Sequence, residues 1–158
     1  MKSASLNEIK KELQILPAAD LIELCIGLAK YKKDNKELLG YLLFESGNKT
    51  QFIAEVKLEI IEQITSLKSQ TSLYFVKKGL RKTLRLISKY SKYINDKGLT
   101  AELYIHFCKQ LKYSGIPYHR SQMIVNLYDQ QLKKIHSLIE TLHEDLQFDF
   151  KEEVESIK

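Results

Sequence analysis

The stretch Thr71–Ile94, TSLYFVKKGLRKTLRLISKYSKYI, decides the fold class. At roughly 100° per residue, Leu80, Leu84, Leu86, Ile87, Tyr90 and Ile94 gather on one side of a helix. Lys77, Lys78, Arg81, Lys82, Arg85, Lys89 and Lys92 fall on the other, in a stripe about 140° wide. A strand, with its period of two, would scatter both sets over both faces. The spacing therefore predicts a long amphipathic helix, the fifth in the chain, ending at the breaker Asn95-Asp96-Lys97-Gly98.

The same reading extends to both sides. Ser5 and Glu8 form an S-x-x-E capping box that opens a first helix through about Leu16. Pro17 suits the first turn of a second helix, to about Lys32. That helix is apolar on most sides, only Asp20, Glu23, Gly27 and Lys30 making a polar edge, so it is expected to be the buried centre. Asp34 and Glu37 repeat the capping pattern before a third, also apolar, helix through Phe44 or Glu45. Gly27 and Gly40 fall inside these two helices, where close backbone approach would explain them. Ser46-Gly47-Asn48-Lys49 is a turn. A fourth helix runs from about Thr50 to Lys68, with Phe52, Ile53, Val56, Ile60, Ile64 and Leu67 opposite Glu55, Glu59 and Glu62. Thr100 is expected to cap a sixth helix to about Tyr113. Ser121 is expected to cap a seventh through about Leu146.

No segment shows sustained strand alternation, and two prolines and six glycines are too few for a turn-rich β fold. The expectation is all-α: seven or so antiparallel amphipathic helices in a bundle, with HEAT-like stacking of the early hairpins as the alternative. At 158 residues, residues 1–147 read as one helical domain and 148–158 as an acidic tail. The apolar run Leu16–Tyr31 carries charges and is too short to cross a bilayer, and the N-terminus lacks a signal-like apolar core. Cys25 and Cys108 are isolated and sit among apolar neighbours, which reads as two inert core thiols in a reducing, cytoplasmic setting.

Charge is distributed unevenly. The chain carries a net +5, yet no acid occurs between Glu62 and Asp96, an interval holding eight cations. The rest of the chain sums to −3, much of it near the C-terminus. The basic face of helix 71–94 is the main candidate binding surface. Its charge is either open to a partner or paired internally with Glu55, Glu59, Glu62 or the acidic tail. An open stripe suits an acidic protein partner or self-association. The alternative is sequence-nonspecific nucleic-acid binding, with Tyr74 and Tyr93 near the stripe's edges to stack on bases.

Two further constellations carry polar side chains. The loop Ser114–Arg120 could hold an anion through His119 and Arg120 beside a helix N-terminus, although it lacks the P-loop pattern. His136, Glu140 and His143 supply one E-x-x-H unit, half of what a di-iron bundle requires, and on the polar side of their helix. Neither pattern points to a catalytic residue, a metal or a cofactor, and the chain reads as a non-enzymatic interaction or scaffolding domain.

The runs Leu16-Pro17-Ala18-Ala19-Asp20-Leu21-Ile22-Glu23-Leu24, Asn35-Lys36-Glu37-Leu38-Leu39 and Leu80-Arg81-Lys82-Thr83-Leu84-Arg85 together resemble small helical bacterial proteins of unknown function. The resemblance implies a bacterial cytosolic origin and an all-α fold, and supplies no activity, ligand or site residue.

Overall fold

The computed structural model describes residues 3–158. Among the described residues the structure is all-helical, with eight α-helices and no strand. The chain divides into two compact units, Met1–Ser46 and Gly47–Lys158.

The first unit holds α1 (Leu6–Ile15), α2 (Ala18–Tyr31) and α3 (Lys33–Gly40), closed by a π-helical turn at Tyr41–Glu45. The expected capping box is present: the Ser5 amide donates to Glu8 Oε2 at 2.7 Å, and the Glu8 amide donates to Ser5 Oγ at 3.3 Å. These bonds hold the Glu8 carboxyl below its ordinary pKa, the backbone donor contributing most. The second expected box does not form. α3 starts at Lys33, Lys32 occupies the cap without a side-chain bond, and Asp34 lies inside the first turn. α2 packs on α3, and Asn35 Nδ2 donates to Leu28 O at 2.9 Å to fasten the connection.

The second helix is not the buried centre that its composition predicts. No residue of α1, α2 or α3 is buried. Apolarity all round specifies that a helix be covered, yet Ile22, Leu24, Ile26 and Leu28 of α2 are exposed. Gly27 and Gly40 fail as close-approach positions for the same reason, since a Cβ at either would meet nothing within 4 Å. Close approach occurs instead at Gly79, where an added Cβ would clash with the Leu67 side chain.

The second unit contains α4 (Lys49–Ser66), α5 (Leu73–Ile94), α6 (Lys97–Lys112), α7 (Gln122–Ile139) and α8 (Glu144–Glu155). Its centre is α6, which packs on α4, α5, α7 and α8. α6 buries Ala101, Leu103, Tyr104, Ile105, Phe107, Cys108 and Leu111, together with Thr100. Several of its polar groups are met by neighbours, although His106 Nε2 is buried without a hydrogen-bond partner among the described residues. Lys57 of α4 reaches Glu102 at 2.6 Å, Lys109 reaches Glu153 of α8 at 2.7 Å, and Lys134 of α7 donates to Tyr104 OH at 2.6 Å.

Helix boundaries differ from the sequence expectation in ways that local chemistry explains. Asn95 alone breaks the chain after α5, adopting φ 48°, a left-handed C-cap conformation that asparagine tolerates. Asp96 then caps α6, accepting from the Leu99 amide at 3.0 Å, where Thr100 was expected to do so. Ser121 precedes α7 without a side-chain cap bond, and α7 stops at Ile139 rather than near Leu146. His143 caps α8. Residues 148–158, read as an acidic tail, form most of α8 and the turn after it. Val154 and Ile157 there are buried, and Tyr128 OH donates to Ile157 O at 2.6 Å.

Candidate interaction surface on the fifth helix

α5 is fixed by its inner face, where Val76, Leu80, Thr83, Ile87 and Ile94 are buried. The sequence pattern missed Thr83, a polar residue on the inward side. It is fully buried, and its hydroxyl is satisfied by Gln63 Oε1 at 2.9 Å and Gly79 O at 3.3 Å. Helical geometry then dictates where the cations go. Lys78, Arg81, Lys82, Arg85 and Lys92 are exposed, and Lys77 and Lys89 are half-buried at the flanks. From Lys78 to Lys92 the row extends about 21 Å along the axis at 1.5 Å per residue.

The flanking cations are engaged locally. Lys77 Nζ lies 2.9 Å from Met123 Sδ of α7. Lys89 Nζ sits 4.8 Å from the ring centroid of Tyr90, whose ring makes edge contacts with Phe52 and Tyr93. The five exposed cations differ. Among the described residues, no ion pair joins Lys78, Arg81, Lys82, Arg85 or Lys92 to an acid.

The acids considered as internal counter-charges are placed elsewhere. Glu55 accepts from Gln51 and Glu59 from Gln63, both within α4. Glu62 is exposed. In the C-terminal segment, Glu153 holds Lys109 and Glu155 holds Lys158. Tyr74, one turn before Lys78, is 65% exposed and meets Phe75 edge-on with ring centroids 5.4 Å apart.

The loop before α7 carries the second candidate. Ser114 donates to Leu111 O at 2.7 Å and accepts from the Ile116 amide at 3.0 Å, which fixes the loop's start. Tyr118 stacks on Tyr128 with centroids 5.5 Å apart. Arg120 lines a cavity of ≈ 440 Å³ whose wall also contains Lys68 and Gln70. His119 is exposed and does not line that cavity.

The histidine triplet is divided. His136 and Glu140 border a cavity of ≈ 380 Å³ with Lys151, Glu155 and Lys158, while His143 is used as the α8 cap, 3.5 Å from the Asp145 amide. Among the described residues no group of three or more His, Cys, Asp or Glu side chains is arranged to hold a metal ion. The cysteines also part company. Cys108 is buried, and desolvation pushes its thiol up to about 12, leaving it protonated and unreactive. Cys25 is exposed, contrary to the reading of both thiols as core residues. His106, on α6, is held below its ordinary pKa, mainly by burial and then by the nearby Lys57 charge.

No helix among the described residues is long and apolar enough to cross a membrane. Comparison with known proteins finds no matching family model, no matching curated protein and no matching solved structure.

Proposed function

We propose that the second unit is a non-enzymatic interaction module that docks an acidic protein surface on the outer face of α5. The observation that carries this reading is the set of five exposed cations, Lys78, Arg81, Lys82, Arg85 and Lys92, without an acidic partner among the described residues. Two unit charges 6 Å apart in water repel by roughly 0.7 kcal/mol. A row of them on one rigid helix is therefore a standing cost, relieved by an incoming anionic surface. The cations recur at three- and four-residue steps, the spacing at which an opposing helix would present its own acids. Self-association through this face is disfavoured, since a two-fold contact would oppose the same cations.

A second reading rests on Tyr74. An exposed aromatic at the head of a cation row also suits single-stranded nucleic acid, with base stacking added to phosphate contacts. The two readings part in one experiment. Titration calorimetry of the full chain with poly-L-glutamate, and gel shifts with single-stranded and duplex oligonucleotides, are run at low and high salt. The module reading expects salt-sensitive glutamate binding that Arg81→Glu with Arg85→Glu removes, with melting unchanged. Oligonucleotide binding lost in Tyr74→Ala would move the assignment to nucleic acid. Binding to neither polyanion at low salt sinks both.

A further inference from the structure

We infer that the unit Met1–Ser46 is a self-association module, through which two copies of this chain join by the apolar surface of α1, α2 and α3. This inference is independent of the α5 face and survives its failure.

The sequence makes α2 apolar and places further apolar residues in α1 and in the turn after α3, and the structure leaves them exposed. Leu6 is 86% exposed, Tyr31 77% and Phe44 84%, and nine further large apolar residues from Ile9 to Leu43 are also exposed. Among the described residues of this unit Tyr41 alone is buried, so the unit has little core of its own.

The occupant follows from what the surface requires. A matching partner must present an apolar helical face of similar extent. Nothing in the second unit does, since no helix among α4–α8 exposes more than two large apolar residues. A second copy of the first unit does so by identity. Its surface is self-complementary in form, with a groove of ≈ 290 Å³ between α2 and α3 lined by Cys25, Leu28, Ala29, Leu38 and Leu42. Beside it Leu43 and Phe44 project from the turn that follows α3. A two-fold axis lets each copy's projecting side chains fill the other's groove. Charge permits the contact too. Residues 1–46 carry seven lysines and seven acids, so they are neutral, and the entire net +5 belongs to residues 47–158. Two first units therefore meet without net repulsion, as two second units would not.

The test uses the full chain in analytical ultracentrifugation over a concentration series, with Cys25 as an internal footprint. Cys108 is buried and protonated, so maleimide reports Cys25 alone. The expected result is a dimer whose Cys25 alkylation slows as protein concentration rises. Leu28→Glu with Leu43→Glu, at positions already exposed in the single chain, should abolish the dimer and restore fast labelling with unchanged thermal melting of the second unit. A wild-type chain that stays monomeric at every concentration overturns the inference, whether Cys25 labels fast or is covered by its own chain. So does a dimer that survives the Leu28/Leu43 variant but is lost in Arg81→Glu with Arg85→Glu. The concentration dependence of Cys25 labelling needs no variant, so misfolding of the double substitution would not remove the test.

Discussion

The helices α2 and α6 are the two most informative parts of this molecule to set side by side. By residue type α2 is the more apolar, with Leu21, Ile22, Leu24, Ile26 and Leu28 in close succession, yet nothing on it is buried. α6 carries three lysines, a glutamate and a histidine, yet it buries eight residues. The difference lies in partners. α6 is surrounded by four amphipathic helices whose apolar stripes converge on it and whose lysines and acids reach its polar edges. α2 packs on α3, and its Ile22, Leu24, Ile26 and Leu28 are exposed. Apolar composition thus reports how much surface must be covered, while topology decides what covers it.

The contrast can be broken by mutation, most sharply at the centre of α6. Phe107→Ala should cost the second unit about 3–5 kcal/mol in denaturant unfolding, the usual range for truncating a buried phenylalanine. If Leu28→Ala in α2 costs as much at protein concentrations too low for association, the comparison fails. A smaller effect is expected at the seam between α7 and the C-terminus. Tyr128→Phe leaves Ile157 O without its buried donor and should cost about 1–2 kcal/mol, with faster hydrogen exchange in α8. Unchanged α8 protection would show that the segment is held by Val154 and Ile157 alone.

A pH experiment sharpens the account of α6's polar edge. The folded state holds His106 below its ordinary pKa near 6.5, so the unfolded chain binds the proton first. The stability that a neutral His106 permits is therefore complete above that pH and falls as pH drops below about 6.5 towards its lower folded-state pKa. His106→Gln should flatten this part of the stability–pH curve, and an unchanged slope would assign the acid sensitivity elsewhere. The smallest effect is expected on α2 itself. Leu24→Ala or Ile26→Ala should shift melting of the second unit by less than about 0.5 kcal/mol, as for surface positions generally.

Much of this could be read directly from the residues. The helical period of Thr71–Ile94, the Ser5–Glu8 capping box and the inward set Phe52, Ile53, Val56, Ile60 and Ile64 all appear in the structure as expected. Other features resisted sequence reading for identifiable reasons. Asp96 and Thr100 both suit a cap, and only the backbone path after Asn95 chooses between them. Thr83 looks out of place on an inward face until Gln63, twenty residues earlier, is found to satisfy its hydroxyl. Cys25 and Cys108 have equally apolar neighbours in sequence and opposite exposure in space. At the candidate surface, the row of cations was visible as a period, but not that Lys78, Arg81, Lys82, Arg85 and Lys92 have no acidic partner among the described residues.

By itself, then, the sequence determined the all-helical class, the inner and outer faces of α5 and the concentration of positive charge there. These follow from dihedral periodicity and residue type, which act over a few turns of chain. Only the tertiary structure decided that α6 rather than α2 is the centre, that residues 148–158 build onto α7 through Tyr128, and that the acids of α4 and α8 do not pair with the exposed α5 cations. Those outcomes depend on which long-range neighbour arrives at each face. Burial and ion pairing are properties of two surfaces together, and a linear pattern describes only one of them.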